Sequence, residues 1–179
     1  WAAVKYKAGD AVWCFNRFGQ TRTRLPDGRE IWIGGEHEDW YDSDFCIYND
    51  VVVIDKYLKL DIYGYPRQLF RPTDFHTATL VGDSIYIIGC LGYSGTQPIG
   101  ETPVLKLDTN SFAMEKIETT GDKPGWIWDH TARFVPERNA IRVSGGKVLV
   151  SHTGKRGTRQ NRRVYWLEVA TGMWTKGEN

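Results

Sequence analysis

A motif that returns at almost constant spacing is the feature of this 179-residue chain that most restricts its fold. The segments REIWIGG, SIYIIGC and AIRVSGG end at Gly35, Cys90 and Gly146, at intervals of 55 and 56 residues. Self-similarity at a period of about this length is typical of proteins that stack one structural unit or arrange it radially. The repeat therefore predicts three copies of one unit.

Each predicted unit consists of four short β-strands. Runs of apolar, β-branched and aromatic residues alternate with Gly, Pro, Asp and Asn, and helical periodicity is nearly absent. The turn between the first two strands contains residues that tolerate the positive backbone angles of tight hairpins, namely Pro26-Asp27-Gly28, Gly82-Asp83 and 136–139. The third strands are NDVVVID, ETPVLKLD and RRVYWLEV, and the fourth are KLDIYGY, SFAMEKIE and GMWTKGE. The sequence thus predicts an all-β fold whose sheets need neighbours to bury their faces.

The order of elements in the unit resembles the kelch repeat: strand, turn, strand, double glycine, loop, strand ending in Asp, turn and aromatic residue. The aromatic residue is Trp174 in the third unit and Phe112 in the second, and Leu58 takes its place in the first. The segments DFHTATL and PGWI are also similar to bacterial hypothetical proteins of kelch type. The resemblance implies β-propeller blades within a single domain, 1–179. Its expected parts are an N-terminal outer strand at 1–10, blade one at 17–64, blade two at 75–119 and blade three at 129–177.

Three blades are too few to close a ring, since closed propellers have about four to eight. Three explanations remain open: a head-to-tail dimer that forms a six-bladed ring, a fragment of a longer chain, or an open wedge. Charge favours the homodimer, because an acidic loop would face a basic loop at both junctions. The acidic loop contains Glu36, Glu38 and Asp39, and the basic loop contains Lys155, Arg156 and Arg159. The alternative is that both loops are simply solvated.

Composition narrows the classes of partner and the compartment. A formal net charge of +1 favours neither nucleic acid nor a membrane as partner, and no apolar run is long enough for a membrane span. The three cysteines, Cys14, Cys46 and Cys90, show no CxxC spacing, and the N-terminus lacks the apolar run of a signal peptide. These features predict reduced thiols in a cytoplasmic protein. A secreted protein whose signal has been removed is the alternative.

The acidic loop holds five carboxylates within nine positions, 36–44, together with His37. A hard cation would use several of these oxygens, but the spacing matches neither a calcium loop nor a zinc site. Glu38 and Asp42 form a conceivable acid–base pair whose separation the sequence does not give. We therefore expect a solvated or interfacial loop, without a metal or another cofactor.

Two histidines, His76 and His130, occupy equivalent positions in the HTA triplets that begin the second and third units. They are candidates for lining a central channel, where they would bind a metal or transfer protons. The alternative, which we favour, is that each bonds a backbone carbonyl of a neighbouring unit and holds the units in register.

Binding at the loop face is the function that the sequence favours. Trp126 and Trp128 are expected to present aromatic surface there, and with Tyr93, Arg71 and Asp74 they would form a shallow polar and aromatic bowl. The alternative is that the two tryptophans seal the contact between blades. The predicted function is recognition of a protein or a small polar ligand. Its candidate residues are Glu38, Asp42, Tyr93, Trp126, His152 and Arg156. The alternative, drawn from the resemblance, is an enzyme of the isomerase or oxidase class that acts on a sugar or related metabolite; no catalytic residue is assigned.

Overall fold

The computed structural model describes residues 13–37 and 45–177. Within these residues the regular structure is β-sheet, apart from one 3-10 turn at Pro136–Arg138. The prediction of an all-β protein built from antiparallel sheets is confirmed. The outer strand expected at 1–10 lies outside the described residues.

The first repeat forms a four-stranded antiparallel sheet with the spatial order β1-β2-β5-β6. A two-residue pairing, β3 with β4, lies in the connection between β2 and β5. The strands are β1 (Thr21–Arg24), β2 (Glu30–Ile33), β3 (Glu36–His37), β4 (Cys46–Ile47), β5 (Asp50–Ile54) and β6 (Leu60–Gly64).

The second repeat forms a sheet of the same topology, in which each strand pairs with the next along the chain. Its strands are β7 (Thr77–Val81), β8 (Ser84–Ile88), β9 (Val104–Asp108) and β10 (Met114–Lys116).

The third repeat has the same topology, with two additions. The four-stranded sheet is β13-β14-β17-β18, and β11 pairs in parallel with the outer edge of β18. A separate sheet, β12-β15-β16, is built on the connection between β14 and β17. The strands are β11 (Thr120–Gly121), β12 (Ile127–Trp128), β13 (Thr131–Val135), β14 (Ala140–Ser144), β15 (Lys147–His152), β16 (Lys155–Gln160), β17 (Val164–Glu168) and β18 (Met173–Lys176).

The basic segment that the sequence suggested was a loop is therefore a β-hairpin. Six residue pairs join β15 to β16, and the turn is Thr153-Gly154, with φ of 48° and 79°. Two successive positive φ angles give the backbone twist of the two-residue turns that best connect antiparallel strands. The hairpin brings Lys155, Arg156 and Arg159 onto one defined strand.

The core consists of two apolar layers, one between each pair of successive sheets. In β8, Ile85 and Ile87 pack with the first sheet, while Tyr86 and Ile88 pack with the third. Successive side chains of a strand point to opposite faces, so the second sheet is buried on both sides. The three sheets therefore pack face to face in chain order.

The two outer faces of this stack are more polar than the buried ones. Glu30 and Trp32 of the first sheet stand where the second sheet has Ile85 and Ile87. Arg142 and Ser144 of the third sheet replace Tyr86 and Ile88 in the same way. An arginine lies over the tryptophan of each outer face, Arg22 over Trp32 at 5.1 Å and Arg138 over Trp166 at 4.3 Å from the ring centroid. The outer faces are thus amphipathic rather than uniformly apolar.

Candidate functional site

A repeated set of backbone contacts joins the sheets at the beginning of their innermost strands. Gly19, Phe75 and Asp129 are equivalent residues with positive φ, at 62°, 48° and 56°. The Phe75 N–H donates to the Gly19 carbonyl at 2.9 Å, and the Asp129 N–H donates to the Phe75 carbonyl at 2.8 Å. Left-handed backbone is costly for non-glycine residues, and its repetition here accompanies these hydrogen bonds. The same local geometry therefore positions the loops of each unit.

The two repeat histidines belong to this junction. Nε2 of His76 lies 2.8 Å from the Thr21 hydroxyl, and Nε2 of His130 lies 2.9 Å from the Thr77 hydroxyl. Each histidine thus bonds a threonine side chain of the preceding unit, and not the backbone carbonyl that the sequence suggested. Burial lowers the pKa of His76 to about 3, with a smaller contribution from His130, and lowers the pKa of His130 to about 4. Both are neutral at pH 7 and hold neighbouring sheets together.

The loops at one end of the strands enclose a cavity of about 590 Å³. The connections after β2, after β8 and after β14 contribute to it, together with the segment that leads from the first sheet to the second. Its lining residues are Glu36, Phe45, Ile47, Asp74, Leu91, Gly92, Tyr93, Ser94, Gln97, Trp128, Leu149, Arg156, Gly157 and Thr158.

Asp74 is the most unusual residue of the cavity, because its carboxyl group is fully buried. Oδ1 accepts a hydrogen bond from the Gly92 N–H at 2.6 Å. Oδ2 accepts none from any N–H or O–H of the described residues, and no cation there forms an ion pair with Asp74. A buried carboxylate oxygen without a donor is costly, since it loses water and gains no replacement.

The carboxyl of Glu36 in β3 lies within hydrogen-bond reach of Asp74. Neither carboxylate supplies a hydrogen, so a bond between the two requires a proton on one of them. Burial, only partly offset by hydrogen bonds from Gly92 and Glu36, raises the pKa of Asp74. The pair therefore retains a shared proton to higher pH than a solvated carboxyl would.

A positive charge lies on another wall of the cavity. The Arg156 side chain in β16 donates from Nη1 to Gln97 Oε1 at 3.2 Å. Gln97 is itself held by the Gly95 N–H, which donates to Oε1 at 3.1 Å, and by the Leu91 carbonyl, which accepts from Nε2 at 3.1 Å. This network fixes the orientation of the amide that in turn positions the guanidinium.

Aromatic and aliphatic side chains complete the walls. The Tyr93 hydroxyl accepts a hydrogen bond from the Ile47 N–H at 2.8 Å, and the Tyr93 ring meets the edge of Phe45 at 5.9 Å between centroids. Trp128 and Leu149 pack together on the third-repeat side. An apolar enclosure with a few placed polar groups is the usual composition of a small-molecule site.

The predicted binding residues lie in different surroundings. Tyr93 and Arg156 line the cavity, as does Asp74, which the sequence placed on the same face. Trp126 is buried: its indole N–H donates to the Leu91 carbonyl at 3.2 Å, and Arg71 lies 4.8 Å from its ring centroid. Its ring thus packs beneath the loops, and a ligand contact by Trp126 stays a prediction.

The other predicted binding residues are less well placed or not described. His152 is an exposed residue at the tip of the β15–β16 hairpin, where it pairs with Lys155, and it is not part of the cavity lining. Glu38 and Asp42 lie outside the described residues, as does Asp39 of the acidic loop.

Several cavity residues were not singled out from the sequence, among them Glu36 as a cavity residue, Gln97 and Leu149. Trp128 was expected on the loop face together with Trp126, and it lines the cavity. It stands two residues before the repeat histidine, as Asp74 does, and both residues face the cavity. Gln97 and Leu149 lie in segments without a counterpart in the other units, so no repeat signal marks them.

A second cavity, of about 610 Å³, lies beside Trp126 and the connection that precedes it. Four of its charged side chains form two ion pairs: Lys123 contacts Glu101 and Lys116 contacts Glu118, each at 2.7 Å. In the described part of the chain, its lining contains no buried side-chain polar atom that lacks a partner. The first cavity is therefore the candidate site.

Thiol chemistry and metal ligation receive no support from the geometry. The three cysteines are all described and form no disulfide, and burial raises the pKa of Cys90 to about 12, which keeps it protonated and inert. Across residues 13–37 and 45–177, His, Cys, Asp and Glu form no group of three or more suited to a metal ion. Over the same ranges, no helix has the length and apolar character needed to span a membrane.

No protein-family model matches the chain, and no curated protein matches it at a significant level.

Proposed function

We propose that this chain forms three blades of a kelch-like β-propeller and binds a small polar ligand in the cavity at the loop end of the blades. The buried Asp74 carboxyl, whose side-chain neighbour is a second carboxyl, Glu36, is the observation that carries the proposal. A ligand that donates to this pair would take the place of the proton that the two carboxyls otherwise have to share. The repeated contacts between successive sheets support the propeller geometry.

The size of the cavity favours a small molecule over a protein. Ligand pockets usually measure roughly 300–1,000 Å³, and this cavity measures about 590 Å³. Protein interfaces bury broad, flatter surfaces of about 800 Å² on each partner. Arg156, Tyr93 and the Glu36–Asp74 pair offer polar contacts in three directions around an apolar interior.

Filling the cavity is expected to abolish ligand binding without unfolding the protein. Thr158 lies in β16 at the cavity wall, on the same face of the strand as Arg156, so a large side chain there projects into the cavity. Ligand-observed NMR with a library of sugars, organic acids and amines is expected to give hits for the parent that weaken at least about tenfold in Thr158→Trp. Gly157→Trp is the matched control, since its side chain would leave the opposite face of the same strand, where a Cβ meets no atom within 4 Å. Hits that bind both variants like the parent would contradict the assignment.

An enzyme acting on a sugar or related metabolite is the second candidate function. The Glu36–Asp74 pair favours it, because two carboxyls that share a proton supply an acid and a base at one place. His76 and His130, which the sequence suggested for this role, instead bond threonines inside the sheet junctions. Chemical change of a bound ligand, followed by NMR over hours and lost in Glu36→Gln, would establish catalysis.

We also propose that a second copy of the chain completes the ring. The third sheet carries Asp129, Thr131 and Gly145, the counterparts of residues that contact the next unit at the internal junctions. The first sheet carries Gln20 in the histidine position, with a buried Nε2 that has no partner among the described residues. Docking the first sheet of one copy on the third sheet of another would join these groups.

Charge gives the dimer less support than the sequence suggested. Glu36 of the acidic loop and Arg156 of the basic hairpin line the same cavity of one chain. The opposite charges of Glu36 and Arg156 therefore lie within one protomer, and they do not favour the contact between two copies. Lys155 and Arg159 are exposed on the hairpin, while Glu38 and Asp39 lie outside the described residues.

Light scattering is expected to give the parent a mass twice the 20.5 kDa of one chain. Gly145→Ala is expected to give a folded monomer. At the equivalent residues Gly34 and Gly89, a Cβ would lie 2.2 Å from a carbonyl oxygen of the next unit, whereas at Gly145 it meets nothing within the single chain. Gly82→Ala, at φ 57° in open space, controls for backbone strain. A monomeric parent at all concentrations would rule out this assembly.

A further inference from the structure

We propose that the ligand of the cavity is a protonated amine with a compact apolar body. Its ammonium replaces the proton shared by Glu36 and Asp74, and its body packs against Trp128 and Leu149. This inference rests on the proposed function, that the cavity is a ligand site, and it names the chemical class that the site takes.

The acceptor geometry of Asp74 calls for a donor from the ligand. Oδ1 is already engaged by the Gly92 N–H at 2.6 Å, which leaves Oδ2 as the oxygen without an N–H or O–H donor. The Glu36 carboxyl is a hydrogen-bond neighbour of the same group. An ammonium offers three hydrogens and no acceptor, so it can bond both carboxylates at once without introducing a new repulsion. Hydrogen bonds between ionised partners are roughly twice as strong as neutral ones.

The charged and titratable groups around Asp74 do not supply a cation to its carboxylate. From the connection after β8, the Cys90 thiol faces Asp74 and stays protonated because it is buried. Arg71 is turned away, since its Nη2 donates to the Thr96 carbonyl at 3.1 Å and its guanidinium lies over Trp126. From β16, Arg156 reaches Gln97 and not Asp74. Among the described residues, therefore, no arginine or lysine neutralises the Asp74 carboxylate.

The rest of the cavity sets the shape of the ligand. Trp128, Leu149, Phe45 and Leu91 give an apolar enclosure around the carboxyl pair. An amine on a single ring or a short branched chain would bury its apolar surface there, at roughly 25 cal/mol for each Å² removed from water. Arg156 at the wall is available for a carbonyl or anionic group at the other end of the molecule.

Binding an ammonium in this way releases one proton. Below the raised pKa of Asp74 the free pair holds one proton and one negative charge; the complex holds two carboxylates and the ligand cation, and the displaced proton goes to solvent. While the free pair keeps its proton, affinity is thus expected to rise by up to about tenfold for each pH unit. A neutral alcohol bound at the same place would release no proton and show no such rise.

Isothermal titration calorimetry with benzylamine and benzyl alcohol tests the inference, because the two probes differ only in the donor group. Benzylamine is expected to bind at least about tenfold more tightly, as charged hydrogen bonds contribute more than neutral ones. In the acidic pH range where the free pair keeps its proton, its heat of binding is expected to differ between acetate and bis-Tris buffers, since bis-Tris takes up the released proton with a large ionisation heat. Asp74→Asn and Glu36→Gln are expected to abolish the preference for benzylamine. Circular dichroism and thermal unfolding check that both variants fold.

The outcomes separate this inference from the proposed function. If benzyl alcohol binds as tightly as benzylamine and Thr158→Trp abolishes both, the cavity is a ligand site and the amine inference is wrong. If benzylamine binds with no buffer dependence, or equally well to Asp74→Asn, the carboxyl pair is not its receptor and the inference is again overturned. If neither probe binds and no library compound distinguishes the parent from Thr158→Trp, the proposed function fails as well.

Discussion

Between pH 8 and pH 5 the parent is expected to lose about 4 kcal/mol of its free energy of unfolding because of His76 and His130. Replacing both histidines with glutamine is expected to abolish this part of the loss. Both histidines are buried and hydrogen-bonded through Nε2 to a threonine of the preceding sheet. Burial lowers their pKa values to about 3 and about 4, from 6.5. The unfolded chain therefore takes up protons at pH 5 that the folded chain does not.

The sign of the effect follows from these depressed pKa values. The contribution of the two neutral histidines to the free energy of unfolding is fully present above pH 6.5, and it is lost as the pH falls towards 3 to 4. Each histidine accounts for about 2 kcal/mol at pH 5, so each single variant should recover about half of the loss. Glutamine is the natural substitute, because Gln20 occupies the same place in the first unit.

Urea unfolding followed by tryptophan fluorescence at pH 8 and pH 5 measures this difference directly. His152→Gln is the matched control, since His152 is exposed at the tip of a hairpin and is expected to leave the acid sensitivity unchanged. A double variant that loses as much stability as the parent between the two pH values would show that the histidines do not join the sheets.

Gly89→Ala is expected to lower the free energy of unfolding by about 2–5 kcal/mol, the sum of left-handed strain and overpacking. Gly89 has φ of 71°, and a Cβ there would lie 2.2 Å from the Ile127 carbonyl oxygen and 2.9 Å from Cε1 of His130. The Cys90 N–H donates to that same carbonyl at 3.0 Å. The Ile127 backbone therefore cannot move away from the new Cβ without breaking this hydrogen bond between the sheets. Gly34→Ala is expected to behave alike, because its Cβ would meet the Thr73 carbonyl oxygen at 2.2 Å.

Gly82→Ala separates the clash from the backbone strain. Gly82 also has positive φ, at 57°, but a Cβ there would meet nothing within 4 Å. It is therefore expected to cost only the left-handed strain, about 1–2 kcal/mol. Chemical denaturation of the three variants at one pH gives the comparison. Equal losses at Gly89 and Gly82 would mean that the sheets do not approach each other as closely as described.

Much of the fold could be predicted because its signals are local. The turn glycines, the apolar runs and the double glycine recur in each unit, and the twelve main strands of the three sheets fall in the predicted segments. The double glycine also has a physical reason at its first position, where Gly34 and Gly89 let a neighbouring carbonyl approach. The β15–β16 hairpin escaped prediction because its exposed, basic residues carry no burial pattern.

The candidate site was harder to predict, because it depends on contacts between distant segments. Tyr93 and Arg156 were placed on the correct face from loop topology alone. Whether Trp126 or Trp128 faces the cavity depends on how the connection between sheets packs, and the structure buries the first beneath Arg71 and turns the second to the cavity. The pairing of Glu36 with Asp74 joins residues 38 positions apart and leaves no local signal.

The central claim is that the loop-end cavity beside Asp74 binds the ligand, and amide chemical shifts on titration with benzylamine test it most directly. The amides of Gly92 and Gly157, which line the cavity, are expected to shift with a common saturation curve. Those of Gly28 and Gly82, in hairpin turns at the other end of the strands, are expected to stay in place. Shifts confined to Gly28 and Gly82, or spread evenly over all four glycines, would contradict the assignment of the site.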